Sequence, residues 1–284
     1  MSERTARQAS WVVNGLTIEG LCWGDERLPP LLALHGWLDN AASFAVLAPL
    51  LSKYHVVALD LTGHGKSSRR SADSSYQIWD DLPEIMGVIG QLGWTNFELM
   101  GHSRGAIISS ILASVIPNRI NHLVLLDAVA PQAVAESEFS KQLAKFLKDK
   151  PRGLLREGRV YPTMDDAIGA RTKGGLSNEA AQLLAQRSLQ RRGDGYMWIS
   201  DPRLYGASAV KLTQGQKQAI LENLSMPVLF LQAENGLTHM GDIRKESEKF
   251  IANFYAETVP GGHHFHMEES VANVAARISR FLAA

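Results

Sequence analysis

Five short runs, Leu31–Leu34, Val56–Leu59, Phe97–Met100, Leu123–Leu126 and Val228–Leu231, are apolar at every position except Glu98. A strand with one wet face alternates apolar and polar residues, so runs of this kind are expected where both faces of a sheet are covered. Amphipathic helical stretches separate them, and that alternation predicts an α/β fold: a mainly parallel, eight-stranded-type sheet with helices on both faces. Trp11–Val13 and Leu16–Trp23 flank Asn14-Gly15, a dipeptide suited to a tight hairpin turn, and are expected to form an antiparallel edge. A further strand is expected around Thr258 and Val259. The rhythm breaks after Pro131, and to about Tyr205 there is helical periodicity with loop signals but no convincing strand. Residues 131–205 are therefore predicted to be an inserted helical cap on a core made of 1–130 and 206–284.

Lysine plus arginine (29) balance aspartate plus glutamate (29), and the bases form no long tract, so nothing in the charge draws the chain to nucleic acid. A small, uncharged or weakly charged molecule is the expected partner, and the oligomeric state is left open. Lys141, Lys145, Lys148, Lys150, Arg152, Arg156 and Arg159 concentrate in the insertion against Asp149 and Glu157. They read as a solvated helix face, with a rim attracting acidic substrates as the alternative. No apolar run approaches the roughly 18 residues of a membrane span, and Met1–Ser10 lacks the apolar core of a secretory signal. No membrane association and a cytoplasmic location are expected. Cys22 is the only cysteine, which rules out an intrachain disulfide and suggests a small buried hydrophobe.

Gly101-His102-Ser103-Arg104-Gly105 fits G-x-S-x-G between a predicted strand and a predicted helix, Ala106–Val115. Such a turn presents its central serine above the sheet, and flanking glycines let neighbouring backbone approach. Ser103 is the candidate nucleophile. The helix start supplies free N–H groups for a developing oxyanion. His35-Gly36-Trp37 follows an earlier strand, so the backbone N–H groups of Trp37 and Arg104 form the expected oxyanion pair. Trp37 and His102 are candidate substrate contacts, and His35 reads as a structural hydrogen-bonding residue. Asp60 and His64, in the glycine-rich loop Asp60–Ser67, read as scaffold that fastens the loop.

Gly261-Gly262-His263-His264-Phe265-His266-Met267-Glu268 lies between the last strand and the last helix, where a catalytic histidine must swing over the sheet edge to reach the serine. Three histidines compete for that role. They also raise a metal site, but no ligand spacing elsewhere supports one, so neither metal nor organic cofactor is expected.

Together these segments resemble the α/β-hydrolase superfamily from about Trp11 to Asp127 and from about Pro227 to the end. The run His35-Gly36-Trp37-Leu38-Asp39-Asn40-Ala41 looks most like its serine hydrolase-like proteins. In that family's histidine register the resemblance selects His263 as general base, with His266 and Glu268 completing the pattern. The acid usual after the strand Val228–Leu231 is missing, because Gly236 falls where it stands in most members. Some members carry it after the preceding strand, which implies Asp127, with Glu234 as the alternative. The resemblance implies an esterase of small carboxylic esters working through an acyl-enzyme on Ser103. Thioester, lactone or carbon–carbon hydrolysis on the same residues, and a ligand receptor without turnover, are the alternatives. A serine at the elbow argues against haloalkane dehalogenase and epoxide hydrolase chemistry.

Overall fold

Successive side chains of a strand point to opposite faces, and in the computed structural model the apolar runs divide by that parity. Leu32 and Leu34, Val57 and Leu59, and Leu123 and Leu125 enter one core, whereas Leu31 and Ala33, Val56 and Ala58, and Val124 and Leu126 enter the other. The structure describes residues 5–237 and 243–284. Its strands are β1 (Arg7–Val13), β2 (Leu16–Trp23), β3 (Pro30–Leu34), β4 (His55–Leu59), β5 (Phe97–His102), β6 (Ile120–Leu126), β7 (Val160–Tyr161), β8 (Leu189–Arg192), β9 (Gly195–Trp198), β10 (Val228–Asn235) and β11 (Phe254–Gly262). Eight of them form one sheet in the order β1-β2-β4-β3-β5-β6-β10-β11. It is antiparallel at β1–β2 and β2–β4 and parallel from β4 onward. Asn14 and Gly15 turn the first hairpin, both at positive φ (52° and 77°).

The helices are α1 (Leu82–Gln91), α2 (Arg104–Val115), α3 (Phe139–Leu155), α4 (Met164–Thr172), α5 (Asn178–Ser188), α6 (Gln214–Glu222), α7 (Ile243–Phe250) and α8 (Val271–Phe281). Ile85 and Val88 of α1, Ile108 and Leu112 of α2, Leu221 of α6 and Ile243 of α7 cover one face of the sheet. Val274 and Ile278 of α8 cover the other, with Phe44 and Leu47 from the 3-10 turns after β3. Among the described residues no helix is long and apolar enough to cross a membrane.

The insertion carries α3, α4 and α5 as expected of a cap, but the expectation that it holds no strand is corrected. The strands β7, β8 and β9 form a small antiparallel sheet in the order β7-β9-β8. These strands are two to four residues long, and Gln190, Arg191 and Arg192 of β8 are exposed, so neither an apolar run nor a clear alternation announced them. Gly193 (φ +58°) and Asp194 make the two-residue turn between Arg192 and Gly195.

One buried ion pair ties this insertion to the sheet. Arg187 of α5 donates through Nε to Asp60 Oδ2 and Oδ1 at 2.7 and 2.9 Å, with both side chains shut off from solvent. Asp60 also accepts from the backbone N–H groups of Ala41 and Lys66, both at 2.7 Å, which is the loop fastening its sequence position suggested. Removing one partner of a buried pair strands the other charge. Arg187→Met is expected to cost about 3 kcal/mol, the low end for such pairs because Asp60 keeps its two backbone donors. Thermal melting should fall by roughly 6–10 °C, and an unchanged midpoint would mean that the pair contributes nothing.

Candidate active site

The elbow after β5 is a site of strain. Ser103 sits at φ 52°, ψ −116°, a conformation that costs a non-glycine residue about 1–3 kcal/mol and persists only where surroundings enforce it. Its N–H donates to the Leu126 carbonyl at 2.9 Å, tying the elbow to the end of β6. The flanking glycines are steric requirements. A Cβ on Gly105 would lie 2.0 Å from the Leu34 carbonyl oxygen, and one on Gly101 would lie 2.4 Å from that of Gly105. Arg104 begins α2, so its N–H has no partner within the helix and is free to meet an oxyanion.

His263 follows β11 on a loop held from beneath by Phe265, which is fully buried. Its Nδ1–H donates to Asp127 Oδ2 at 2.6 Å. Asp127 directly follows β6 at φ 55°, and its carboxylate also accepts from the N–H groups of Ala233 (2.9 Å) and Leu237 (3.2 Å). Gly236 makes room for it. A Cβ at position 236 would lie 2.3 and 2.4 Å from the two carboxylate oxygens of Asp127, so the position that lacks the usual acid is the one that admits this one. Glu234, the alternative, is exposed near the end of β10.

Ser103 and His263 line one cavity of about 720 Å³ together with Gly36, Trp37, His102, Leu237 and residues of the insertion. Trp37 leans on the insertion, its Nε1–H donating to the Leu204 carbonyl at 3.1 Å and its ring set edge-on to Tyr205. Of the basic residues noted in the sequence, Arg156 and Arg159 border this cavity together with the acidic Glu157, and their solvent-facing positions make them its rim. Glu268 accepts from Ser177 N–H at 2.8 Å, at the start of α5, which gives the last residue of the histidine pattern a structural task.

Four other histidines, His35, His64, His102 and His266, are fully buried, unlike His263. His35 accepts from Leu61 N–H through Nε2 at 3.0 Å, so its Nδ1 carries the proton that meets the Gly36 carbonyl at 2.7 Å. His64 pairs Nδ1 with the Thr62 carbonyl at 3.0 Å, and burial pushes it well below its usual pKa. Burial likewise pushes His266 down to about 3, with its Nε2 2.8 Å from Ser43 Oγ. His102 is fully buried, which together with the adjacent imidazoles keeps it neutral, and its Nε2 lies 2.9 Å from the His263 carbonyl. His102 thus borders the cavity and clamps the loop that carries His263.

Two residues here carried no role in the sequence reading. Asp39 is fully buried beside the cavity, its Oδ1 accepting from Arg171 Nη2 at 2.9 Å and its Oδ2 lying 3.4 Å from His264 Nε2. Its signal was its place in the run after Trp37. Arg171, on α4, sits in a segment with no motif and gave none.

A family model described as the alpha/beta hydrolase fold matches residues 29–270. Serine hydrolase-like protein 2 of Homo sapiens is 30% identical over 286 residues, 93% of this chain and 90% of that protein. A serine hydrolase-like protein of Danio rerio is 27% identical over 93% of this chain and 85% of its own length. Among solved structures, a hypothetical protein from Pseudomonas aeruginosa PAO1 superposes with a TM-score of 0.92 at 35% identity, covering 98% of this chain and 99% of that one. The thioesterase domain from the curacin biosynthetic pathway superposes with a TM-score of 0.84 at 25% identity over 99% of this chain and 100% of that domain.

Proposed function

The chain belongs to the α/β-hydrolase family, and from that premise we propose that it hydrolyses a small carboxylic ester on a triad of Ser103, His263 and Asp127. Relatives of this chain are serine hydrolase-like proteins; the ester substrate and the residue roles are our reading. The observation that carries it is the 2.6 Å contact from His263 Nδ1 to Asp127 Oδ2 beside a serine held at φ 52°.

In this mechanism Asp127 holds His263 in the tautomer whose Nε2 is unprotonated. Ser103 Oγ attacks the ester carbonyl carbon as its proton passes to His263 Nε2. The carbonyl oxygen becomes an oxyanion stabilised by the N–H groups of Trp37 and Arg104. The tetrahedral intermediate collapses, the imidazolium protonates the leaving alcohol, and an acyl-enzyme forms. Water that gives its proton to His263 then attacks the acyl carbon, and the acid and free Ser103 are released. These steps use side chains, two backbone N–H groups and water.

A thioester substrate is the second reading, favoured by the full-length likeness to a thioesterase domain. The same triad serves it, since only the leaving group changes. A screen of p-nitrophenyl esters, acyl thioesters and lactones against the chain and its Ser103→Ala variant decides among them. No turnover of any would leave a ligand receptor. The insertion over the cavity, residues 131–205 in our division, should also limit acyl length. The expected profile of kcat/KM is a maximum at short to medium chains, with a fall of about tenfold or more by sixteen carbons, as the chain outgrows the pocket. Undiminished rates on long-chain triglyceride emulsions would contradict the enclosing role.

A further inference from the structure

We propose that Asp39, His102 and His264 bind a divalent transition-metal ion of the zinc or copper class beside the hydrolytic site, and that the bound ion slows hydrolysis. The ligand atoms Asp39 Oδ2, His102 Nδ1 and His264 Nε2 all lie within 4.8 Å of one another. Asp39 Oδ2 is 3.4 Å from His264 Nε2 and 3.7 Å from His102 Nδ1. In a tetrahedral zinc shell with bonds of about 2.0–2.1 Å, neighbouring ligand atoms stand roughly 3.3–3.4 Å apart. The group therefore matches the edges of that shell to within a few tenths of an ångström at Asp39.

Hydrogen bonding points the same way. The His102 nitrogen that faces the His263 carbonyl at 2.9 Å must carry the ring's proton, because a carbonyl only accepts. Its Nδ1 then turns a lone pair toward the carboxylate oxygen of Asp39. Both atoms are buried and neither makes a well-aligned hydrogen bond among the described residues, His264 Nε2 standing 3.4 Å from the Asp39 oxygen. Two acceptors facing each other in a dry interior repel, and a cation between them turns the repulsion into coordination. The supporting contacts are those that orient metal ligands elsewhere: a carbonyl on the far nitrogen of His102, and Arg171 Nη2 on the far oxygen of Asp39 at 2.9 Å. Gly36 keeps the corner open, since a Cβ there would lie 2.9 Å from both Asp39 Oδ2 and His102 Nδ1.

Two imidazoles and one carboxylate suit zinc, copper or nickel and are a poor set for calcium or magnesium, which take oxygen ligands. All three residues border the cavity, so a water or substrate atom can complete the shell. The effect on hydrolysis rests on the reading of His263 as general base. The ring centres of His102 and His264 lie 4.6 and 5.0 Å from that of His263. Asp39, His102 and His264 line the same cavity as Ser103 and His263, so an ion there, with the water that completes its shell, takes up space that the ester needs. The sequence shows no ligand spacing that announces this group, because two of the three ligands come from separate segments that meet only in space.

The test is calorimetric titration of the chelator-stripped full chain with zinc chloride, beside initial rates of p-nitrophenyl acetate hydrolysis at the same concentrations. One zinc per chain is expected, with hydrolysis falling at the same midpoint. Asp39→Asn and His264→Gln should each weaken binding by at least about tenfold and move the inhibition midpoint equally, each judged against its own metal-free rate. His264 is partly exposed, so its variant keeps the test alive should Asp39→Asn not fold. His122→Gln, at a separate pairing with Glu98, should bind as the parent does. No stoichiometric binding, binding retained by both ligand variants, or zinc-edge anomalous density away from these residues would overturn the site. Binding with unchanged turnover would overturn the inhibition. A chain that binds zinc but hydrolyses nothing when metal-free would overturn the triad and leave the metal site standing.

Discussion

Ser103→Ala is expected to lower kcat by about 10⁴ or more with the fold intact, because triad members act as a unit and the oxyanion donors alone recover only a fraction of the rate. The backbone at position 103 is held by its N–H bond to the Leu126 carbonyl and by the packing of Gly101 and Gly105, none of which involves Oγ. Alanine should therefore occupy the same strained turn, and the melting temperature should stay close to that of the parent. A fluorophosphonate probe gives an independent measure, since it labels a serine only where a base removes the hydroxyl proton and an oxyanion pocket accepts the phosphonyl oxygen. It should label the parent at one site and leave Ser103→Ala unmodified. Stoichiometric labelling of the alanine variant would assign the chemistry to another residue.

Asp127→Asn should also reduce kcat by about 10⁴, and for a different reason. The carboxylate accepts the His263 Nδ1 proton at 2.6 Å, whereas an asparagine that turns its amide toward the ring donates to Nδ1. The imidazole then carries its proton on Nε2, the nitrogen that must receive one from Ser103. Geometry survives while the tautomer is reversed. The N–H groups of Ala233 and Leu237 compete for the single remaining oxygen, so a modest fall in melting temperature is expected. That fall has to be measured alongside the rate. Glu234→Gln should leave both near the parent values. If instead only Glu234→Gln loses orders of magnitude, Asp127 is a structural cap at the end of β6.

The core of the fold was legible because each central strand is buried on both faces, and double burial writes itself as an apolar run. The elbow was legible for an equally local reason, since two glycines are required where backbone passes within van der Waals contact of Ser103's neighbours. The three short strands of the insertion were not legible. Pairing over two to four residues, with Arg191 and Arg192 facing water, leaves no periodic trace. Gly236 illustrates a subtler limit. Read along the chain it marks a missing acid, and only in space does it become the opening through which Asp127 reaches His263. The grouping of Asp39, His102 and His264 is of the same kind, because it depends on three strand ends meeting and not on any spacing within one segment.

The insertion is fastened unevenly. Its α4 and α5 are bound to the sheet through Arg171 on Asp39, Arg187 on Asp60, the Asn40 side-chain amide on the Leu184 carbonyl and Ser188 Oγ, and Glu268 on Ser177. In contrast, α3 buries none of its side chains, is tied to neighbouring segments, among the described residues, only through Gln142, Asp149 and Lys150 at backbone groups of Ser208, Ala207 and Asp73, and carries a proline, Pro151, within its length. Local opening follows the density of such fastenings, so the roof of the cavity should divide into two exchange units in deuterated solvent. Amides of α5 should exchange with those of the sheet, on the timescale of global unfolding, while those of α3 exchange orders of magnitude sooner. Half of the roof then belongs thermodynamically to the walls, and traffic to the cavity can pass beneath the other half without loosening the strands that hold Ser103, Asp127 and His263 in register.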